Sequence, residues 1–246
     1  MIPRIIHLCW FGRGEKPAAV QRCIYSWKKL LPGYQIMEWT EDNFPLELWP
    51  YAKEAYDNGQ YAFVSDVARL RALYLHGGIY MDTDMEVIRS LDPLLADEGF
   101  IGFERPEFVA AGIIGVAPGA PWIAELLEAY KTRHFILPDG TPDTTTNVKC
   151  ITEFFLSHGL KPDNTLQKIE GVATVYPSEV FYPQHPLTGR LKVTSSTLTI
   201  HHYLGTWKHS YTPVERFRKF WMHLFGEKSY YRLRGLKLKL FPKHWK

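Results

Sequence analysis

Cysteine is scarce in this sequence. Cys9, Cys23 and Cys150 are the only three in 246 residues, scattered and odd in number, with no C-x-x-C spacing. That argues against a disulfide framework and against a zinc site of the usual spacing, and it fits reduced thiols. Long apolar runs are missing too, since no segment approaches the ~20 residues that span a bilayer. The opening MIPRIIHLCWFGRGEKP has a short apolar stretch broken by Arg4 and His7, too short for the core of a secretion signal. A cytoplasmic protein is therefore expected. Internal repeats and low-complexity tracts are also lacking.

Core-forming residues are plentiful. The chain is 46% hydrophobic and 15% aromatic, enough for one large α/β domain or two small ones and too apolar for intrinsic disorder. The net charge of +3 conceals an asymmetry. Residues 208–246 hold 11 Lys/Arg against 2 Asp/Glu, whereas residues 1–207 hold 18 against 24. A mildly acidic body thus carries a basic tail. An acidic body without a recognised nucleic-acid module excludes nucleic acid as the expected partner.

Residues 4–11, RIIHLCWF, read as a buried first strand. From Pro17 the residues Val20, Cys23, Ile24, Trp27 and Leu31 recur at helical spacing until Pro32-Gly33. YQIMEWT follows as a second strand, so the chain opens β-α-β, the unit of a parallel sheet. WPYAKEAYDNGQ reads as a short helix and YAFVSDVARLRALYLHGG as a stronger one ending at Gly77. In IYMDTDMEVI strict alternation predicts a strand that places Tyr80, Asp82, Asp84 and Glu86 on one face. FIGFE and AAGIIGVAP suggest strands, and PWIAELLEAYKTRH and TTTNVKCITEFFLSHG suggest helices. VATVYPSEVFYP and TLTIHHYLGTW read as strand-like. Together these predict one open α/β sheet.

Asp82 and Asp84 are the anomaly in this pattern. An unpaired carboxylate in an apolar setting costs several kcal/mol, so partners or a ligand must offset it. One reading is a satisfied surface feature beside a turn, because D-x-D alone is common. An EF-hand is excluded: counting from Asp82, the required Gly and Glu positions hold Val87 and Pro93. A phosphatase of the haloacid dehalogenase type would use D-x-D-x-T, with the first Asp as nucleophile. Here Glu86 replaces the threonine, and no later acidic pair could hold magnesium. In the fourth reading the carboxylates share a divalent cation that neutralises a departing diphosphate.

The longer pattern, S-D-x-x-R followed by G-G-I-Y-x-D-x-D in residues 61–88, resembles the sugar-binding D-x-D region of glycosyltransferase family 32. That group includes the initiating mannosyltransferase of yeast and bacterial polysaccharide transferases, and it is similar to the clostridial glucosylating toxins. IPRIIHLCWFG, NVKCITEFF and TLTIHHYLGTWK also resemble such bacterial proteins, so the likeness covers roughly residues 1–210.

The resemblance implies a GT-A-like single Rossmann-type mixed sheet with flanking helices. It implies that Asp84 and Asp82 are the catalytic carboxylates and metal ligands, with Mn2+ or Mg2+ as the ion. Asp66 and Arg69 would hold the donor sugar and its phosphates; an ordinary helix-surface ion pair is the competing reading. His7 and Trp10, at the end of the first strand, would face the nucleotide base, with core packing as the alternative for Trp10. Gly78 belongs to the same donor-binding pattern. In H-x-x-G-x-x-K, from His202 to Lys208, His202 would be a further metal ligand, and Thr206, Trp207 and Lys208 would meet the diphosphate. Alternation in TLTIHH lets only one of the two histidines point inward, and the Gly spacing selects His202. Asn147 would lie near the acceptor.

The activity so implied is transfer of a sugar from a nucleoside diphosphate sugar, UDP- or GDP-linked, to a glycan or lipid-linked acceptor. Transfer would retain configuration and serve capsular or surface polysaccharide synthesis. A catalytically inactive nucleotide-sugar-binding protein on the same fold is the competing class. Two segments are expected: a transferase domain over residues 1–210 and a basic amphipathic helical tail over 211–246. In the tail Val214, Phe217, Phe220, Trp221, Leu224 and Phe225 recur at helical spacing among Arg and Lys. Such a helix suits the anionic inner face of a plasma membrane, and packing on the body is the alternative.

Overall fold

The computed structural model describes residues 1–186 and 188–205. The tail and its boundary with the body, like Thr206, Trp207 and Lys208, lie outside the described residues. The opening is β-α-β, as expected: β1 (Ile5–Cys9), α1 (Ala18–Leu30) and β2 (Gln35–Trp39). The two strands run parallel with Ile5 opposite Gln35. Helix α1 buries Val20, Cys23 and Trp27 on one face, and Pro32 and Gly33 (φ 86°) end it.

The chain continues through α2 (Pro50–Asp57), α3 (Tyr61–His76), β3 (Gly78–Met81), β4 (Met85–Val87), β5 (Gly99–Arg105) and β6 (Phe108–Val116). Then come α4 (Pro121–Glu128), α5 (Asn147–Ser157), β7 (Gln167–Ile169), β8 (Ala173–Tyr176), α6 (Ser178–Phe181) and β9 (Thr199–His201). Seven strands form a mixed sheet in the order β2-β1-β3-β6-β5-β8-β7, and β4 pairs with β9 in a separate ribbon. Strand β1 is parallel to β2 and β3, and β5 is parallel to β8. Strand β6 runs antiparallel to both β3 and β5. The α/β class with a mixed sheet and flanking helices is as the sequence led one to expect.

Core packing follows from strand periodicity. In β3 the side chains alternate: Tyr80 joins the apolar cluster under α2, α3, α4 and α5, whereas Ile79 and Met81 join the opposite one with Trp27 and Phe181. The central β6 is covered on both faces, which is why AAGIIGV shows no alternation at all.

Two local expectations change. The strand predicted over residues 79–88 breaks at Asp82: Asp82 N–H still donates to Gly112 C=O (2.8 Å), but Met85 N–H then closes a turn on Asp82 C=O (3.0 Å). The two halves enter different sheets. VATVYPSEVFYP is β8 followed by the short α6, because Pro177 has no N–H for a ladder and starts a helical turn instead. Strand β7 carried too few residues to show a period. No helix among the described residues is long and apolar enough to cross a membrane.

Gly78 plays a packing part. It is buried at φ 95°, and a Cβ there would stand 2.6 Å from Ile5 C=O. It does not line the cleft described below, so its expected donor contact is replaced by the close approach of β3 to β1. The positive φ alone makes Gly78→Ala cost about 1–3 kcal/mol, and the clash adds to this. Urea denaturation should show a lower midpoint at an unchanged slope.

Candidate active site

Asp66 and Arg69 lie one helical turn apart on α3, at a part of the helix that is buried. Both residues are only 7% exposed, which rules out an ordinary surface pair. Arg69 Nη2 meets Asp66 Oδ1 at 3.0 Å and Nη1 meets Asp82 Oδ1 at 3.4 Å. Arg69 also donates to Ala111 C=O (2.8 Å) and Ser65 C=O (3.2 Å), and its guanidinium lies 4.6 Å from the Tyr80 ring centre. The Tyr80 hydroxyl donates to Asp82 Oδ1 at 2.8 Å. Burial opposes the Arg69 charge, and the surrounding Tyr80, Asp82 and Asp66 oxygens more than offset it. Burial pushes the Asp66 carboxyl up to about 6, against the opposing pull of Arg69 and the Asn147 N–H. Asn147 is a strut for this pair: its Nδ2 donates to Asp66 C=O (2.8 Å) and its Oδ1 accepts from the Tyr130 hydroxyl (2.9 Å).

The turn between β3 and β4 presents Asp82 and Asp84 to the same space. Helix α1 fixes its far side, with Trp27 Nε1–H donating to Met85 C=O (2.6 Å) and Ser26 Oγ accepting from Val87 N–H (2.9 Å). Strand β9 pairs with β4 so that His201 is opposite Met85. This register brings His201 Nε2 to 2.9 Å from Asp84 Oδ1 and 4.0 Å from Asp82 Oδ2. His202 points the other way and meets Glu86 Oε2 at 2.9 Å. Alternation did admit only one histidine, but that histidine is His201, so the selection of His202 is corrected. The register of β9 on β4 decides the matter, and the Gly spacing does not report it.

Asp84 Oδ2 also accepts the Leu204 N–H at 2.8 Å. Burial works against the Asp84 charge, but His201 and the Leu204 N–H hold its pKa below the usual carboxylate value. Burial likewise opposes the His201 cation, and Asp84, Asp82 and Glu104 together raise its pKa. His201 Nδ1 is buried without a hydrogen-bond partner. One ligand atom from each of Asp82, Asp84 and His201 lies within 4.8 Å of the others. Two carboxylate oxygens and an imidazole nitrogen suit a divalent ion such as manganese. The residues present therefore fit the metal that the resemblance implies.

These groups sit in a cleft of about 480 Å³. Trp10 lines it, as expected, with its Nε1–H donating to Gly14 C=O (2.6 Å) and Lys16 Nζ 5.4 Å from its ring centre. His7 does not line it. Its Nε2–H donates to Gly77 C=O (2.8 Å) and its Nδ1 accepts from Trp39 Nε1–H (3.1 Å), so a neutral ring is fully engaged inside the core. The expected base contact by His7 is thus overturned: His7 shares a face of β1 with Cys9, which lines the cleft, but sits two residues deeper, enclosed by Trp39, His76 and Gly77. Glu104, Tyr182 and Tyr203 line the cleft without having been singled out. Glu104 ends an apolar run in FIGFE near the end of β5, a faint signal. Tyr182 and Tyr203 gave none. Tyr203 has φ 51°, a strained conformation for a residue with a side chain, and its ring centre lies 4.1 Å from that of His201 with the rings tilted by 49°.

Comparison with known proteins decides the family. Residues 17–101 match the model described as a glycosyltransferase sugar-binding region containing a DXD motif. A protein of Acanthamoeba polyphaga mimivirus named as uncharacterized glycosyltransferase L373 is 32% identical over 182 residues, covering 69% of this chain and 71% of that protein. The chain belongs to this glycosyltransferase family. It is also 32% identical over 133 residues to inositol phosphoceramide mannosyltransferase 3 of Schizosaccharomyces pombe, covering 51% of this chain. The chain spans 36% of the length of that fungal relative. A solved glycosyltransferase involved in the glycosylation of the major capsid of PBCV-1 aligns over 89% of this chain and 99% of its own, at 14% identity and a TM-score of 0.44.

The buried charges of this family member lead to two expected outcomes. Arg69→Met leaves Asp66 without its cation, and breaking such a pair costs about 3–5 kcal/mol, read as a large fall in the urea midpoint. His7 has its pKa lowered to about 4, chiefly by burial, from 6.5 when unfolded. On acidification the unfolded chain therefore takes up this proton first. Stability present above pH 6.5 is lost as pH falls towards 4, by about 3 kcal/mol from this group. NMR titration should show the His7 ring still neutral at pH 5.

Proposed function

We propose that the protein transfers a hexose from a nucleoside diphosphate sugar to a glycan or lipid-linked acceptor, with a divalent cation at Asp82, Asp84 and His201. The observation that carries this reading is the convergence of that donor set with the Asp66–Arg69 pair in one cleft. When bound, Mn2+ or Mg2+ would neutralise charge on the departing diphosphate. Asp82 and Asp84 orient the ion and the donor, and Asp82 is itself oriented by Tyr80 and Arg69. Asp66 offers its carboxylate to sugar hydroxyls, and Trp10 supplies an aromatic wall for the base.

Mannose is supported as the sugar by the name of the S. pombe relative. Retention of anomeric configuration and a role in surface or capsular polysaccharide synthesis rest on the family resemblance. The basic residues 208–246 support a place at the cytoplasmic face of a membrane, where a lipid-linked acceptor would be found.

The test is a thermal-shift panel of UDP- and GDP-hexoses with Mn2+ or with chelator. Donor at a hundredfold excess over Kd stabilises by about 2.7 kcal/mol, a rise of about 5–10 °C for a domain of this size. One donor should act, only with metal, and Asp84→Asn should abolish the shift. Donor binding of this kind with no turnover on any acceptor would instead favour an inactive sugar-binding protein. No shift under any condition would overturn the reading.

A further inference from the structure

A second groove, of about 690 Å³, opens beside the donor cleft. Its walls are the β5–β6 hairpin, where Arg105 pairs with Phe108, and the segment after α6. Glu104, Tyr182 and Pro186 line both cavities, so the two adjoin. The junction lies close to the carboxylate pair. The point where a Cβ on Gly112 would sit is 3.0 Å from Asp82 Oδ2 and 3.2 Å from the Tyr182 hydroxyl. Gly112 thereby leaves space between those two oxygens that any larger residue would fill. Tyr182 is fixed in place, its hydroxyl accepting from Ile113 N–H at 2.9 Å.

The chemistry of the groove walls selects a ligand class. Glu104, Glu107 and Glu179 offer acceptor oxygens, and Arg105 and Lys192 offer donors. Arg105 Nε is buried without a hydrogen-bond partner while its guanidinium lies 5.1 Å from the Phe108 ring centre. Three carboxylates repel a phosphate or a carboxylate, so an anionic ligand is disfavoured. Vicinal hydroxyls match both sets at once, since each donates one hydrogen bond and accepts others.

We propose that this groove is the acceptor subsite and binds a neutral polyhydroxylated sugar, with Glu104 at the junction accepting a hydrogen bond from the hydroxyl that receives the glycosyl group. This rests on the transferase reading above. In the transfer, the hydroxyl oxygen bonds to the anomeric carbon as the bond from that carbon to the phosphate oxygen breaks. The diphosphate leaves with the electron pair and takes the hydroxyl proton. Glu104 is a positioning residue for that hydroxyl in the cleft, and Glu107 and Lys192 hold the rest of the ring.

The experiment uses the full chain with Mn2+ and a hexose donor. Methyl glycosides of mannose, galactose and glucose serve as acceptor probes, with nucleoside diphosphate release as the rate. Donor-induced thermal shift is read in parallel on every variant. A glycoside should stimulate release. Glu104→Gln should lower the stimulated rate about tenfold, and the double variant Glu107→Ala/Lys192→Ala should raise the glycoside KM about fivefold. Both replaced residues of the double variant are exposed, so its fold should survive. The donor concentration at half-maximal thermal shift should move by less than about twofold in the double variant, whose residues do not line the donor cleft. The subsite assignment is overturned if the double variant weakens donor binding in step with transfer, or if the glycoside KM stays put. It is also overturned if a wild type that binds donor is stimulated by none of the glycosides. A wild type that binds no donor at all overturns the transferase reading and the subsite with it, and that failure appears in the thermal shift before any acceptor is added.

Discussion

A guanidinium buried within the cleft wall is the constraint around which this site is organised. Arg69 cannot shed its proton, so the fold must surround it with oxygen atoms. It does so with Asp66, Asp82 and the carbonyls of Ser65 and Ala111, and with the face of Tyr80. These partners come from α3, β3 and β6. The cation therefore ties a helix to the two central strands at the position where the D-x-D turn leaves the sheet. Asn147 extends the network to α5 by bonding the Asp66 backbone. Stability and the candidate site rest on the same set of contacts here, because the carboxylates that compensate Arg69 also face the cleft.

The D-x-D turn answers a different need. A continuous strand would have kept Asp84 within the ladder of the large sheet, away from the ribbon that carries His201. Breaking the strand at Asp82 lets the chain leave one sheet and join the β4–β9 ribbon. That ribbon supplies His201 from more than a hundred residues away and the Leu204 N–H beside it. The acidic turn is anchored from behind by Trp27 and Ser26 of α1, so its oxygens stay fixed without help from the cleft side.

Much of this was legible in the residues themselves. The β-α-β opening and the helix over 61–76 show their periods directly, because each buries a regular face, and β6 shows as an unbroken apolar run because both its faces are covered. Asp66, Arg69, Asp82 and Asp84 stand out since charge in an apolar pattern demands a partner. Gly78 and His7 were legible as residues belonging to the pattern and misleading as to role. Gly78 is required by the contact with Ile5 C=O, and His7 by two hydrogen bonds in the core. Neither contact has a local signature, for the partners are distant in the chain.

By itself the sequence determined the periodic elements, the acidic pair and its cationic neighbour, because these depend on local spacing and on the cost of burying charge. Only the tertiary structure decided which histidine meets the aspartates, where the strand breaks, and that Glu104 and Tyr182 sit where two cavities join. These features depend on register between strands far apart in the chain. A shift of one residue in β9 would exchange His201 for His202, and side-chain alternation looks the same in either case.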